Sequence, residues 1–214
     1  MRFTVGIFLP MKAPFRQQAS NYDCAPTTVL NALTYLFHRK EIPPYVLRRI
    51  YNECLDVERY RGTSTSAVQD LGYWLQHYRE KGFANFALES KFLYGPQVHF
   101  KPSSKIIRTL ESNGVALLCV RSSRNYWHYI LCIRLEDKWL HCFDPHPPSN
   151  QFKNHDAVQF LGISRDHEPN LLIRIDWLEK NISRTNSAAE RKYVLGDKEE
   201  RECLLLNRIS TIRS

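Results

Sequence analysis

The stretch RQQASNYDCAPTTVLNALTYLF, residues 16–37, changes character at Cys24. Polar residues run up to Asp23. Beyond the cysteine, Val29, Leu30, Leu33, Leu36 and Phe37 recur at helical spacing. Pro26 suits a first turn, where its missing N–H removes no bond. The spacing predicts a helix whose mouth carries the chain's first thiol. A thiolate, not a thiol, is the nucleophile, and the positive end of a helix favours negative charge. The polar lead-in keeps that sulfur reachable. Five other cysteines follow. Cys119, Cys132 and Cys203 lie in apolar runs, where a free cysteine packs as a small hydrophobe.

Outward from this segment, the first half reads as helices. A second follows Pro43-Pro44, with Val46, Leu47, Ile50 and Cys54 on one face. A third follows RGTSTS, where Thr63 to Ser66 offer caps and Val68, Leu71, Leu75 and Tyr78 form the stripe. SSKIIRTLESNG reads as a short helix capped by Ser103 or Ser104 and stopped by Asn113-Gly114. The second half reads as strands: VALLCVRS (115–122), HYILCIRL (128–135), KWLHCFDP (138–145) and NLLIRIDWL. The second and third of these join through a turn at Glu136-Asp137. RKYVLG and ECLLLNRI are expected to close a terminal hairpin around DKEE. Alternation of Phe3, Val5, Ile7 and Leu9 predicts an edge strand. Helices first and antiparallel strands after give an α+β fold, with the helices on one side of a sheet. The expectation is one domain over 1–214, its core at about 16–178 and an extension at 179–214.

A cysteine nucleophile needs a base and a group that orients the base. Among eight histidines, His128 opens an apolar strand between Trp127 and Tyr129, where a ring can be held rigid and still face a cleft. Asp144 ends the next strand. Antiparallel return through the turn brings Asp144 back beside His128. Acyl transfer also builds charge on a carbonyl oxygen, and one donor there is worth about 2.7–4 kcal/mol. Gln18 is near enough along the chain to serve, with the Cys24 N–H as second donor; the adjacent Gln17 is the alternative.

QASNYDCAPTT, GTS at 62–64, NYWHYILCI and HCFDP, in that order, resemble the bacteriocin-processing peptidases. These are papain-like cysteine peptidases that remove double-glycine leader peptides. The resemblance spans Gln18 to Pro145. It implies a papain-like fold, a Cys24–His128–Asp144 triad, Gln18 at the oxyanion hole and a peptide or protein substrate. The family usually carries glycine after the cysteine, where this chain has Ala25. Family members are commonly fused to a membrane transporter; this chain shows no apolar stretch near the ~20 residues a bilayer requires, which gives the expectation of a free-standing, cytoplasmic relative without carried-over leader specificity. The same triad would serve an acyltransferase or transpeptidase, and an inactive scaffold would serve as a peptide-binding module.

Composition narrows the remaining classes. Apolar residues are 43 % of the 214, enough for a core, and the net charge is +8. The 30 Lys and Arg are scattered rather than clustered, which argues against a nucleic-acid site. HCFDPH matches no closed zinc-site spacing. No motif calls for a cofactor.

Overall fold

A computed structural model describes residues 13–56, 62–122, 126–147, 156–162, 167–180 and 192–209. The expected edge strand at 3–9 lies outside them. Helices α1 (Cys24–Leu36), α2 (Pro44–Cys54) and α3 (Thr65–His77) come first. Strand β1 (Leu88–Tyr94) and helix α4 (Lys105–Glu111) follow. Then come β2 (Val115–Arg121), β3 (Trp127–Glu136), β4 (Trp139–Phe143), β5 (Val158–Phe160), β6 (Leu171–Arg174), α5 (Ile175–Leu178) and β7 (Glu202–Arg208). The strands form one antiparallel sheet in the order β1-β7-β2-β3-β4-β6-β5. The fold is α+β, and no described helix is long and apolar enough to cross a membrane.

Local chemistry sets the helix ends where the sequence places them. Ser64 caps α3 by accepting from the Ala67 N–H at 3.1 Å, and Ser104 caps α4 through Ile107 at the same distance. Asn113 ends α4 in the left-handed region at φ 60°, and the Gly114 N–H returns to the Thr109 carbonyl at 2.9 Å. A Cβ at Gly114 would stand 1.8 Å from Asn207 Oδ1 and 2.7 Å from Thr109 Cγ2. Thr109 is buried, and Asn207 Oδ1 accepts from Ser112. Gly114→Ala is therefore expected to lower stability by about 1–3 kcal/mol, read as a lower urea midpoint; an unchanged midpoint would show that the β2–β7 junction yields.

Three sequence expectations change. The sheet is covered on both faces, not one. Alternation along β2 sends Leu117 and Cys119 toward α1–α3, and Ala116, Leu118 and Val120 toward α4 and α5. That double burial explains why VALLCV reads as a continuous apolar run. The terminal hairpin does not form. Residues 193–196 make no strand, Lys198–Glu200 is a 3₁₀ turn, and β7 inserts between β1 and β2. Strand β1 has no apolar run because it is an edge strand with Glu89, Lys91 and Tyr94 exposed. The β3–β4 turn sits one residue later than expected: Glu136 pairs with Trp139, and Asp137 takes φ 53°.

Candidate active site

The site assembles from the mouth of α1 and the ends of β3 and β4. Asp23 precedes the helix and turns its carboxylate back onto the lead-in loop. It accepts from the Ala19 N–H at 2.9 Å, the Ser20 N–H at 2.7 Å and the Ser20 hydroxyl at 2.6 Å. Burial pushes this carboxyl up, and those donors, Ser20 first, more than offset it, so it stays below the usual carboxylate range. At the other end of the loop, Asn31 clasps Arg16 twice: its Oδ1 accepts from the Arg16 N–H at 2.8 Å and its Nδ2 donates to the Arg16 carbonyl at 2.9 Å. Between the two clasps, the Gln18 N–H donates to the Pro145 carbonyl at 2.9 Å. The loop thus spans from the cysteine helix to the segment that carries Asp144. The Thr28 hydroxyl donates to the Tyr129 carbonyl at 3.1 Å and seats α1 against β3.

Cys24 is half-buried, at the first turn of α1. Burial alone would push its thiol up. Hydrogen bonding to His128, the imidazolium charge, and backbone hydrogen bonds from Tyr129 and Ala25 reverse that and hold it below the ordinary thiol value. The His128 side chain is 13 % exposed. Its Nε2 meets Asp144 Oδ1 at 2.7 Å, which leaves Nδ1 for the sulfur. Burial would lower its pKa, but the Asp144 charge and hydrogen bond, then Cys24, raise it to about 10. Asp144 is buried, yet ionised: His128 first, then Tyr193 and the His146 N–H, hold it below the usual carboxylate range against burial. His128 thus stands between Cys24 and Asp144, hydrogen-bonded to the carboxylate and holding the thiol's pKa down.

The other thiols contrast with this. Burial pushes Cys54 up to about 12, and Cys119, Cys132 and Cys203 well above the ordinary value. Cys142 lies buried against Cys132, Sγ to Sγ 3.4 Å. His141 faces Glu136 and Arg134, so HCFDPH does not converge on one point. Among the described residues no group of three or more metal-ligating side chains gathers.

Gln17 is exposed and Gln18 half-buried. Its Nε2 donates one hydrogen to the Ser20 carbonyl at 2.6 Å. Sequence reasoning missed the outer supports. Asn170 brackets the backbone of Asp144, accepting from its N–H at 2.8 Å and donating to its carbonyl at 2.9 Å. The Tyr193 hydroxyl donates to Asp144 Oδ2. Asn170 reads as a turn residue before a strand, and Tyr193 sits 49 residues past Asp144; neither lies in a spacing that points to the site.

No protein-family model matches the chain, and no curated protein matches it. Solved structures similar to it include three peptidase domains. One belongs to Streptococcus ComA, a bifunctional ABC transporter involved in a quorum-sensing pathway, at 15 % identity over 63 % of this chain and 80 % of that one, TM-score 0.34. Another is a double-glycine-motif protease from an AMS/PCAT transporter in complex with its leader peptide, at 18 % identity over 76 % and 92 %, TM-score 0.34. A third is the peptidase domain of Streptococcus mutans ComA, at 10 % identity over 91 % and 98 %, TM-score 0.36.

Proposed function

We propose that the protein is a cysteine peptidase that cleaves a peptide bond through an acyl-thioester on Cys24. What supports this reading is the His128–Asp144 hydrogen bond together with a half-buried Cys24 at the start of α1, whose thiol His128 holds below its ordinary pKa while burial holds four others above theirs. The Cys24 sulfur attacks the carbonyl carbon, and the π electrons move onto oxygen. The Cys24 backbone N–H, at a helix start where amides have no intrahelical partner, and the Gln18 amide stabilise that oxygen. Collapse breaks the C–N bond as His128 Nδ1 gives its proton to the leaving amine. Water then loses a proton to His128 and attacks the thioester, which releases the acid and restores the thiolate. Asp144 holds the ring in one orientation and stabilises its charged form.

The test is competitive labelling with iodoacetamide at pH 6. Cys24 is expected to react about 100-fold faster than any of the other five cysteines, with peptide mapping by mass spectrometry as the readout. Hydrolysis of a mixed peptide library by wild type and not by Cys24→Ala completes it. Uniform slow labelling of all six thiols rejects the proposal.

A further inference from the structure

We infer that Tyr193 is a positioning residue of the triad, fixing the Asp144 carboxylate through its buried hydroxyl; this rests on the peptidase reading above. Asp144 Oδ1 is shared by His128 Nε2 and the His146 N–H, each at 2.7 Å. Oδ2 receives the Tyr193 hydroxyl. Without a partner on Oδ2 the carboxylate could rotate about its Cβ–Cγ bond and break the line to the ring. Tyr193 is 1 % exposed, so its hydroxyl, which has no recourse to water, must find an acceptor inside.

The backbone at this residue is unusual. Tyr193 sits at φ 58°, a left-handed conformation that a bulky side chain rarely adopts. The surroundings hold it there. Its N–H donates to the Arg121 carbonyl at 2.8 Å, and the Arg121 N–H donates to the Val194 carbonyl at 2.8 Å. The Trp177 indole N–H donates to the Lys192 carbonyl at 2.9 Å, and the Leu195 N–H to the Leu178 carbonyl at 2.9 Å. Gly196 follows at φ 73°, where a Cβ would stand 3.1 Å from both Arg121 Nε and Trp127 Cη2. Four backbone anchors and a glycine thus force one tyrosine into a strained state that aims its hydroxyl at the triad carboxylate. Strain retained in this way marks a site where geometry serves function.

Tyr193→Phe removes one oxygen and keeps the ring. The pH profile of Cys24 alkylation reads the result. In wild type, alkylation falls in acid as the Cys24 thiolate takes a proton; the imidazolium that opposes this is supported by Asp144, which faces His128, the Tyr193 hydroxyl, the His146 N–H and the Lys192 ammonium. With one donor fewer, Asp144 protonates at higher pH and supports the imidazolium less, so the acid limb is expected to move up by about one pH unit, together with a lower melting temperature because a buried carboxylate oxygen loses its donor. A ring that only packs would leave the limb where it was, so a Phe profile superimposable on wild type overturns the inference while leaving the peptidase reading intact. Slow uniform labelling in wild type overturns both. A second measurement needs no variant of Tyr193. Proton NMR of the wild type is expected to show an exchange-protected, downfield Tyr193 hydroxyl proton that moves upfield in Asp144→Asn. Its absence, or its indifference to Asp144, also overturns the inference.

Discussion

His128→Ala is expected to reduce peptide hydrolysis by as much as about 10⁶-fold, the scale on which a triad loses function when its base is removed. Two losses combine. The thiol loses the hydrogen bond and the positive charge that counter its burial, so its pKa climbs above the ordinary thiol value. The leaving amine also loses its proton donor. At pH 6 the alkylation rate of Cys24 should fall by about 100-fold, to the level of the other cysteines. In wild type, hydrolysis should decline on the alkaline side near pH 10, where His128 gives up its proton. Hydrolysis that survives His128→Ala would mean that another group serves as base, and the assignment of the triad would fall.

Asp144→Ala is expected to be damaging in a second way. It removes a buried anion that accepts from His128, His146 and Tyr193. Breaking such a cluster by deleting one partner costs about 3–5 kcal/mol, because the His128 imidazolium loses its counter-charge and the His146 N–H its acceptor. The pH dependence has a definite sign. Asp144 is depressed below 3.8, so its contribution is present above that value and fades as pH falls through the lower folded value. His128 is raised from 6.5 to about 10, so its contribution is full below 6.5 and fades as pH rises toward 10. The stability gap between wild type and Asp144→Ala should therefore be widest between pH 3.8 and 6.5 and should narrow toward pH 10. Urea unfolding at several pH values measures it; a gap independent of pH would show that the carboxylate only packs.

The parts of the site that depend on local chemistry were legible in the sequence. A polar lead-in, a cysteine and a helical stripe placed Cys24 at the start of α1, where it stands. Strand spacing around a turn placed Asp144 next to His128; the turn lies one residue later, and a bulge between Cys132 and Arg134 takes up part of that offset before the strands reach the site. What depends on non-local pairing was not legible. ECLLLNRI is a strand by any local measure, but its partners are β1 and β2, more than eighty residues earlier for β2 and more for β1. Its nearer neighbour in sequence, RKYVLG, looked like the obvious mate. Strand β1 hid because an edge strand with exposed Glu89, Lys91 and Tyr94 need not alternate cleanly. Tyr193 was invisible for a related reason: its importance follows from a backbone conformation that only the folded anchors impose.

The insertion of β7 between β1 and β2 bears on how the protein is made. Until the ribosome delivers residues 202–208, β1 has no ladder partner and β2 has an unpaired side. The Tyr193 turn, which leans on the end of β2, has likewise not been synthesised until shortly before. A nascent chain that already contains Cys24, His128 and Asp144 still has an open sheet. The sulfur of Cys24 therefore receives the frame that tunes it only after residues 202–208 have paired with β1 and β2.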